Sequence, residues 1–268
     1  MPTDAGPTKT GATAYGVPDD QVEIEQRRLR LLGEARDPWT FATLARVGVA
    51  AGWSCLEIGA GAGTVTAFLA ERVGPTGRVV ATDIDTRFHA LPAPNVTLLQ
   101  HDIVNDEPPG HDFDLVHARA VLQHLPEREA VLDALIALLH PGGVLLVEEG
   151  DFSVFDHQPL PEPYGTVHRT MNDPAFAPWR EPNFGTRLVS LFAERGLTDI
   201  DVTGQSWAMR PGTAAGDWWF LGVERALPIL EAAGLVDAAT MAATRATIAD
   251  PHFVMLSPLS LAVSARKP

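Results

Sequence analysis

The chain has 268 residues, 46% of them hydrophobic, which suffices for one large domain with a well-buried core or for a core with a modest lid. A formal charge of −14, with Lys9 and Lys267 the only lysines, opposes binding to nucleic-acid phosphates, where affinity rests on a surplus of Lys and Arg. No run of eighteen apolar residues occurs, Met1-Pro2-Thr3-Asp4-Ala5-Gly6-Pro7 lacks the basic-then-apolar pattern of a secretory signal, and the lone Cys55 allows no internal disulfide, so the expected location is the cytoplasm, away from membranes.

Residues 1 to about 18 are rich in Pro, Gly and Thr, and order there is expected only if they fold over a pocket. Tyr15, one of two tyrosines, is the residue worth noting in that stretch. Residues 19–35 open with Asp19-Asp20 and carry Val22, Leu29 and Leu32 as a thin apolar stripe, and a second helix is predicted from Pro38 to Val49. From Ser54 to Thr64 an apolar run feeds into Gly59, Gly61 and Gly63, after which Val65, Phe68, Leu69 and Val73 fall at helical spacing. This is a strand, a tight turn and a helix. The glycines let the backbone take positive φ and let a ligand approach closely, while the helix directs its unpaired N–H groups at that ligand.

The next run, Arg78 to Thr82, ends on Asp83, twenty residues beyond Gly63, where an acid would meet ribose hydroxyls; Asp85 is the alternative. A third run, Val96 to His101, ends on Asp102-Ile103. The fourth, Phe113 to Ala118, leads into Arg119, and a helix over 129–139 stopped by Pro141-Gly142-Gly143 precedes a fifth strand, Val144 to Glu148. Such alternation predicts an α/β fold, a doubly wound sheet with helices on both faces.

In order and spacing these five pieces, over roughly residues 54–150, resemble the class I, Rossmann-like S-adenosylmethionine-dependent methyltransferases of small-molecule type. The resemblance implies a seven-stranded, mostly parallel sheet, a helical N-terminal segment (1–50) able to close over the cofactor, and a cofactor-binding core (51–150). It also implies roles for particular residues. Gly59, Gly61 and Gly63 would pass the methionine part, with Glu57 beside its amino group. Asp83 would take the ribose, Asp102 the adenine amino group, with Ile103 covering the ring, and the chain about Ala118 and Arg119 the methionine end. Glu57 satisfied by backbone N–H groups, Asp102 as a turn cap and Arg119 in a surface ion pair are the plain structural alternatives.

The remainder, 151–268, completes the core. Six prolines between Asp151 and Asn183 predict an irregular excursion (151–183) forming a pocket wall. An amphipathic helix from Phe184, strand six at Leu197–Gly204, helical residues 213–249 kinked at Pro228, and a last strand Leu259–Ala265, late or at an edge after Pro258, follow. Residues 205–250 are the expected helical lid. The nine histidines show no ligand spacing, so no metal is expected, although Glu148-Glu149-Gly150-Asp151 could hold Mg²⁺ as in some relatives. Trp179, Trp207, Trp218 and Trp219 suggest lid packing with one or two rings on an aromatic-substrate pocket.

The expected reaction is in-line methyl transfer from S-adenosylmethionine to a small, aromatic or polyketide-like metabolite. Glu149, His168 and Tyr15 are the candidate bases. Use of the sulfonium for a rearrangement or cyclisation, and a non-enzymatic cofactor-binding protein, are the alternatives. The oligomeric state, a homodimer among the options, is not set by the sequence.

Overall fold

A computed structural model describes residues 17–90, 93–173, 175 and 178–268, and Tyr15 lies outside them. Five strands run in chain order through the first half: β1 (Ser54–Ile58), β2 (Arg78–Asp83), β3 (Val96–Gln100), β4 (Phe113–Arg119) and β5 (Leu139–Asp151). With β6 (Thr198–Gln205) and β9 (Leu259–Arg266) they form one seven-stranded sheet of order 3-2-1-4-5-9-6; β7 (Ala208–Met209) and β8 (Met255–Leu256) pair apart from it. β9 runs antiparallel to both β5 and β6, and the other pairings of this sheet are parallel.

Parallel strands are buried on both faces, and the pleat sorts their residues. Leu56, Ile58, Val116, Leu145 and Val147 face α3 (Arg128–Leu138) and α5 (Phe184–Glu194), which contribute Leu132, Leu135, Phe184 and Leu188. Cys55, Leu115, Val144 and Leu146 face the other way, onto α1 (Val22–Arg46) and α2 (Thr64–Val73), which contribute Leu44, Val65, Leu69 and Val73. A third apolar cluster belongs to α4 (Tyr164–Met171), α6 (Ala214–Ala232) and α7 (Ala238–Ala249), with Tyr164, Trp219, Phe220 and Val223 at its centre.

Several boundaries differ from the sequence reading. The two expected leading helices are one, because Pro38 forfeits a single N–H while Arg36, Asp37, Thr40 and Leu44 around it are all buried. Pro141-Gly142-Gly143 does not stop a helix. It is absorbed within β5 as a bulge, the register jumping from Phe113↔Leu139 to Leu115↔Val144. Pro258 does not mark an edge strand either, since β9 starts just after it and lies between β5 and β6. The Pro-rich excursion folds a short 3-10 helix, Ser153–His157, and the short α4, and residues 213–249 divide into α6 and α7, with Pro228 inside α6.

Candidate active site

Strand order reverses between β1 and β4, and ligands of open α/β sheets bind beyond the carboxyl ends of the strands at that point. A cavity of about 1020 Å³ opens there. It is floored by Gly59, Gly61, Asp83, Asp102, Ile103 and Arg119, walled by α1, and roofed by α6 and the stretch around Trp179 and Arg180. That volume is at the upper end for a single small ligand, leaving room for two.

The glycine turn is built for close approach. Gly59, Gly61 and Gly63 have φ of 72°, 52° and 80°, the left-handed region, and a Cβ on Gly59 would meet Val121 Cγ2 at 2.4 Å. The N–H groups of Gly59 and Ala60 donate to Thr82 O at 2.8 and 3.0 Å. Asp83 accepts from Gly61 N at 2.8 Å and from Asp85 N at 2.9 Å, and burial raises its pKa against those donors. Asp83 therefore holds the turn in shape while facing the cavity. Asp102 is also a turn cap: Oδ1 accepts from Val104 N at 2.9 Å and Oδ2 from Asn105 Nδ2 at 2.7 Å. Both acids and Ile103 lie on the wall.

Beneath the floor the α1 face of the sheet carries polar groups at the strand ends. Glu57 pairs in register with His117, and Arg119 with Glu148. Glu57 accepts from the Thr66 hydroxyl, and burial raises its pKa; it does not line the cavity. Glu148 is fully buried, which by itself would raise its pKa, but His117, Arg36 and Arg119 outweigh burial and hold it below the ordinary value. It accepts from Thr40 Oγ1 at 2.8 Å. Arg119 donates to Asp37 Oδ1 at 2.8 Å and Thr40 Oγ1 at 3.1 Å, so its ion pair is with α1. Ala118 is buried under the floor, whereas Ala120, in the left-handed region at φ 56°, is exposed to the cavity.

Arg36 was not singled out by the sequence, although it continues the stripe of Leu29 and Leu32 at helical spacing, where a charge needs a reason. It lines the cavity at 5% exposure with Nε and one Nη lacking any hydrogen-bond partner, and its nearest carboxylate, Glu148, is 3.9 Å away. Burial lowers its pKa to about 10, so it stays charged at neutral pH.

The two candidate bases among the described residues, Glu149 and His168, fall elsewhere. Glu149 lies on the opposite face of β5, where its Oε1 accepts from Val121 N at 3.0 Å, Leu122 N at 2.7 Å and Gln123 N at 3.4 Å; burial pushes its pKa up to about 7. His168 is packed between Phe155 and Trp219, with its pKa pushed down to about 4 by burial and by Arg180 and Arg169. Neither lines the cavity.

A family profile described as "Methyltransferase domain" matches residues 56–145. The trans-aconitate 2-methyltransferase of Variovorax paradoxus is 32% identical over 72% of this chain and 69% of its own length. The chain belongs to the class I S-adenosylmethionine-dependent methyltransferases. The ubiquinone/menaquinone biosynthesis C-methyltransferase UbiE of Pseudoalteromonas translucida is 29% identical over 57% of the chain and 60% of that relative. A cyclopropane-fatty-acyl-phospholipid synthase-like protein from Lactobacillus casei superposes with a TM-score of 0.56 over 94% of both chains at 17% identity, a likeness of fold.

This methyltransferase fits its methyl donor, S-adenosylmethionine. The orphaned Arg36 donors suit a carboxylate, the glycine turn admits backbone approach, and the acids Asp83 and Asp102 with Ile103 suit an adenosine. Among the described residues no group of three or more His, Cys, Asp or Glu side chains could hold a metal ion, and no helix is long and apolar enough to cross a membrane.

Proposed function

We propose that this methyltransferase methylates a small, largely apolar, aromatic or polyketide-like metabolite of natural product biosynthesis in the cytoplasm. The carrying observation is the part of the cavity left beyond the glycine floor: Phe152, Trp207, Trp218 and Trp219 wall it, and the exposed Ile24 and Ile229 stand at its rim. An apolar ring gains from leaving water against such a wall, at roughly 25 cal/mol per Å² of apolar surface buried. The two curated relatives described above are named for trans-aconitate and for ubiquinone/menaquinone biosynthesis, both small-molecule chemistry.

When bound, S-adenosylmethionine supplies a methyl group on a sulfonium, an electrophile that needs no acid. In this reading Arg36 holds the cofactor's carboxylate, Asp83 its ribose hydroxyls, and Asp102 and Ile103 its adenine, while Arg119 is spoken for by Asp37 and shapes the floor. The lid aligns the acceptor, and alignment of this kind can be worth up to about 7–11 kcal/mol of barrier. Because Glu149 and His168 stand off the cavity, they serve the frame of the site, and the described wall leaves positioning as the chain's main contribution.

Incubation of the protein with methyl-labelled S-adenosylmethionine and a small-molecule extract tests the proposal. Label should pass into a low-molecular-weight, organic-extractable product; label found only in protein or RNA, or product formed without label, contradicts it.

A further inference from the structure

Beyond β4 the chain makes a short 3-10 helix, Leu122–His124, and its successive side chains part company: Leu122 is fully buried in the core of the sheet, whereas Gln123 lines the cavity. The backbone holds Gln123 from both ends. Its N–H donates to Glu149 Oε1 at 3.4 Å on β5, and its carbonyl accepts from Glu181 N at 2.8 Å, next to Arg180 in the roof. Gly150 also lines the cavity, and a Cβ there would lie 2.7 Å from Phe152 Cε2 and 3.5 Å from Gln123 Oε1. The missing side chain lets an amide and a ring of the aromatic wall stand together over the exit of β5.

That amide is left unsatisfied. Gln123 is 6% exposed, its Oε1 is buried with no partner, and its side chain makes no hydrogen bond to any described residue. A carboxamide taken out of water loses its solvent hydrogen bonds, so buried polar groups are nearly always paired again inside the protein. Behind the same wall this has happened: Trp219 Nε1 donates to the Tyr164 hydroxyl at 3.1 Å, and both residues are buried. Gln123 is the departure from that rule, and it stands where a ligand can meet it.

Resting on the reading of the site as a small-molecule methyltransferase, we propose that Gln123 binds a hydroxyl of the methyl acceptor, a neutral phenol whose ring lies along the aromatic wall beside Phe152. The hydroxyl donates to Oε1. A carbonyl or ether oxygen has no proton to give that atom, and a protonated amine costs far more to desolvate against aromatic rings. A site that meets a hydroxyl in this way rejects the analogue lacking it, because the amide is then left unpaired. Gln123 is in this sense a residue that sets acceptor specificity.

The probe pair is 4-hydroxyacetophenone and 4-methylacetophenone, alike in shape, with a hydroxyl in one replaced by a methyl in the other. Both are titrated calorimetrically, in weakly acidic buffer where both are neutral, into protein saturated with S-adenosylhomocysteine. The phenol should bind at least about tenfold more tightly, the scale of one buried hydrogen bond. Gln123→Met should bring the two within about threefold of each other, with S-adenosylhomocysteine affinity within about twofold of wild type as the check that the variant folds. Trp218→Phe removes a second buried polar atom of the wall that lacks a partner, Trp218 Nε1, and should leave the preference in place. Equal binding of the two probes, a preference that survives Gln123→Met, a preference lost in Trp218→Phe, or no binding by any of a set of one- and two-ring phenols overturns the proposal. Failure of S-adenosylhomocysteine to bind would instead strike the reading of the site itself.

Discussion

Glu149 and His168 show how a residue with the chemistry of a base can serve structure. Three backbone N–H groups meet one oxygen of Glu149, yet burial prevails and its pKa rises from the ordinary 4.5 to about 7. A folded-state pKa raised in this way gives stability that is complete below pH 4.5 and is lost as pH climbs through 7. His168 acts in the opposite sense: with its pKa lowered from 6.5 to about 4, it contributes stability above pH 6.5 that is lost as pH falls toward 4. The two partly cancel, so each is read as a difference. In thermal melts, wild type should lose ground to Glu149→Gln as pH rises from 4.5 to 7, and to His168→Phe as pH falls from 6.5 to 4. Both variants should keep wild-type turnover within a few-fold at neutral pH; a loss of 10²-fold or more, the scale of a missing general base, would return that residue to the chemistry.

At the scale of elements, the N-terminal helix α1 turns a sheet edge into a chamber. Its inward face meets the sheet through Arg36, Asp37 and Thr40, and it meets the lid helix α6 through Glu25, which both Arg28 and Arg225 engage. Burial would raise the Glu25 pKa, but the two arginines more than offset it and the net shift is downward. Glu25→Gln should therefore free α1 from α6 by roughly 1.5–3 kcal/mol, the scale of a charge-assisted hydrogen bond. Hydrogen exchange should then quicken about 10- to 100-fold in the first turns of α1 and in α6, with β1, β4 and β5 unchanged; uniform acceleration would mean that the tie supports the whole fold. Strands β1 to β5 were legible in the sequence because apolar runs between turns leave a two-sided buried strand little choice. The place of Asp83 beside the cavity was legible from its spacing to the glycines, and that of Asp102 from the family resemblance. Arg36 was harder to find, since a charge on an inner helix face becomes meaningful only when the partner surface is known. The union of the first two helices across Pro38, and the place of β9 inside the sheet, were set by tertiary packing that local propensity does not report.

For the molecule as a whole, the polarity of the cavity is divided by function. Acids alone face it at the adenosine end, where Asp83, Asp85 and Asp102 stand, and on the α1 and lid sides Arg28, Arg36, Arg180 and Arg225 stand with Glu25 and Glu224, so that guanidiniums outnumber carboxylates there. A donor with an adenosine at one end and an amino-acid carboxylate at the other fits that division in a single orientation, with Arg36 at the carboxylate. Calorimetry with S-adenosylhomocysteine and with 5′-methylthioadenosine, which lacks the amino-acid part, tests this most directly when wild type and Arg36→Met are compared. Wild type should bind one equivalent of S-adenosylhomocysteine, and Arg36→Met should lose roughly 10- to 100-fold of that affinity, as expected for about 1.5–3 kcal/mol, while 5′-methylthioadenosine binds both proteins alike. Equal losses for the two ligands, or wild-type protein that binds neither, would contradict the account.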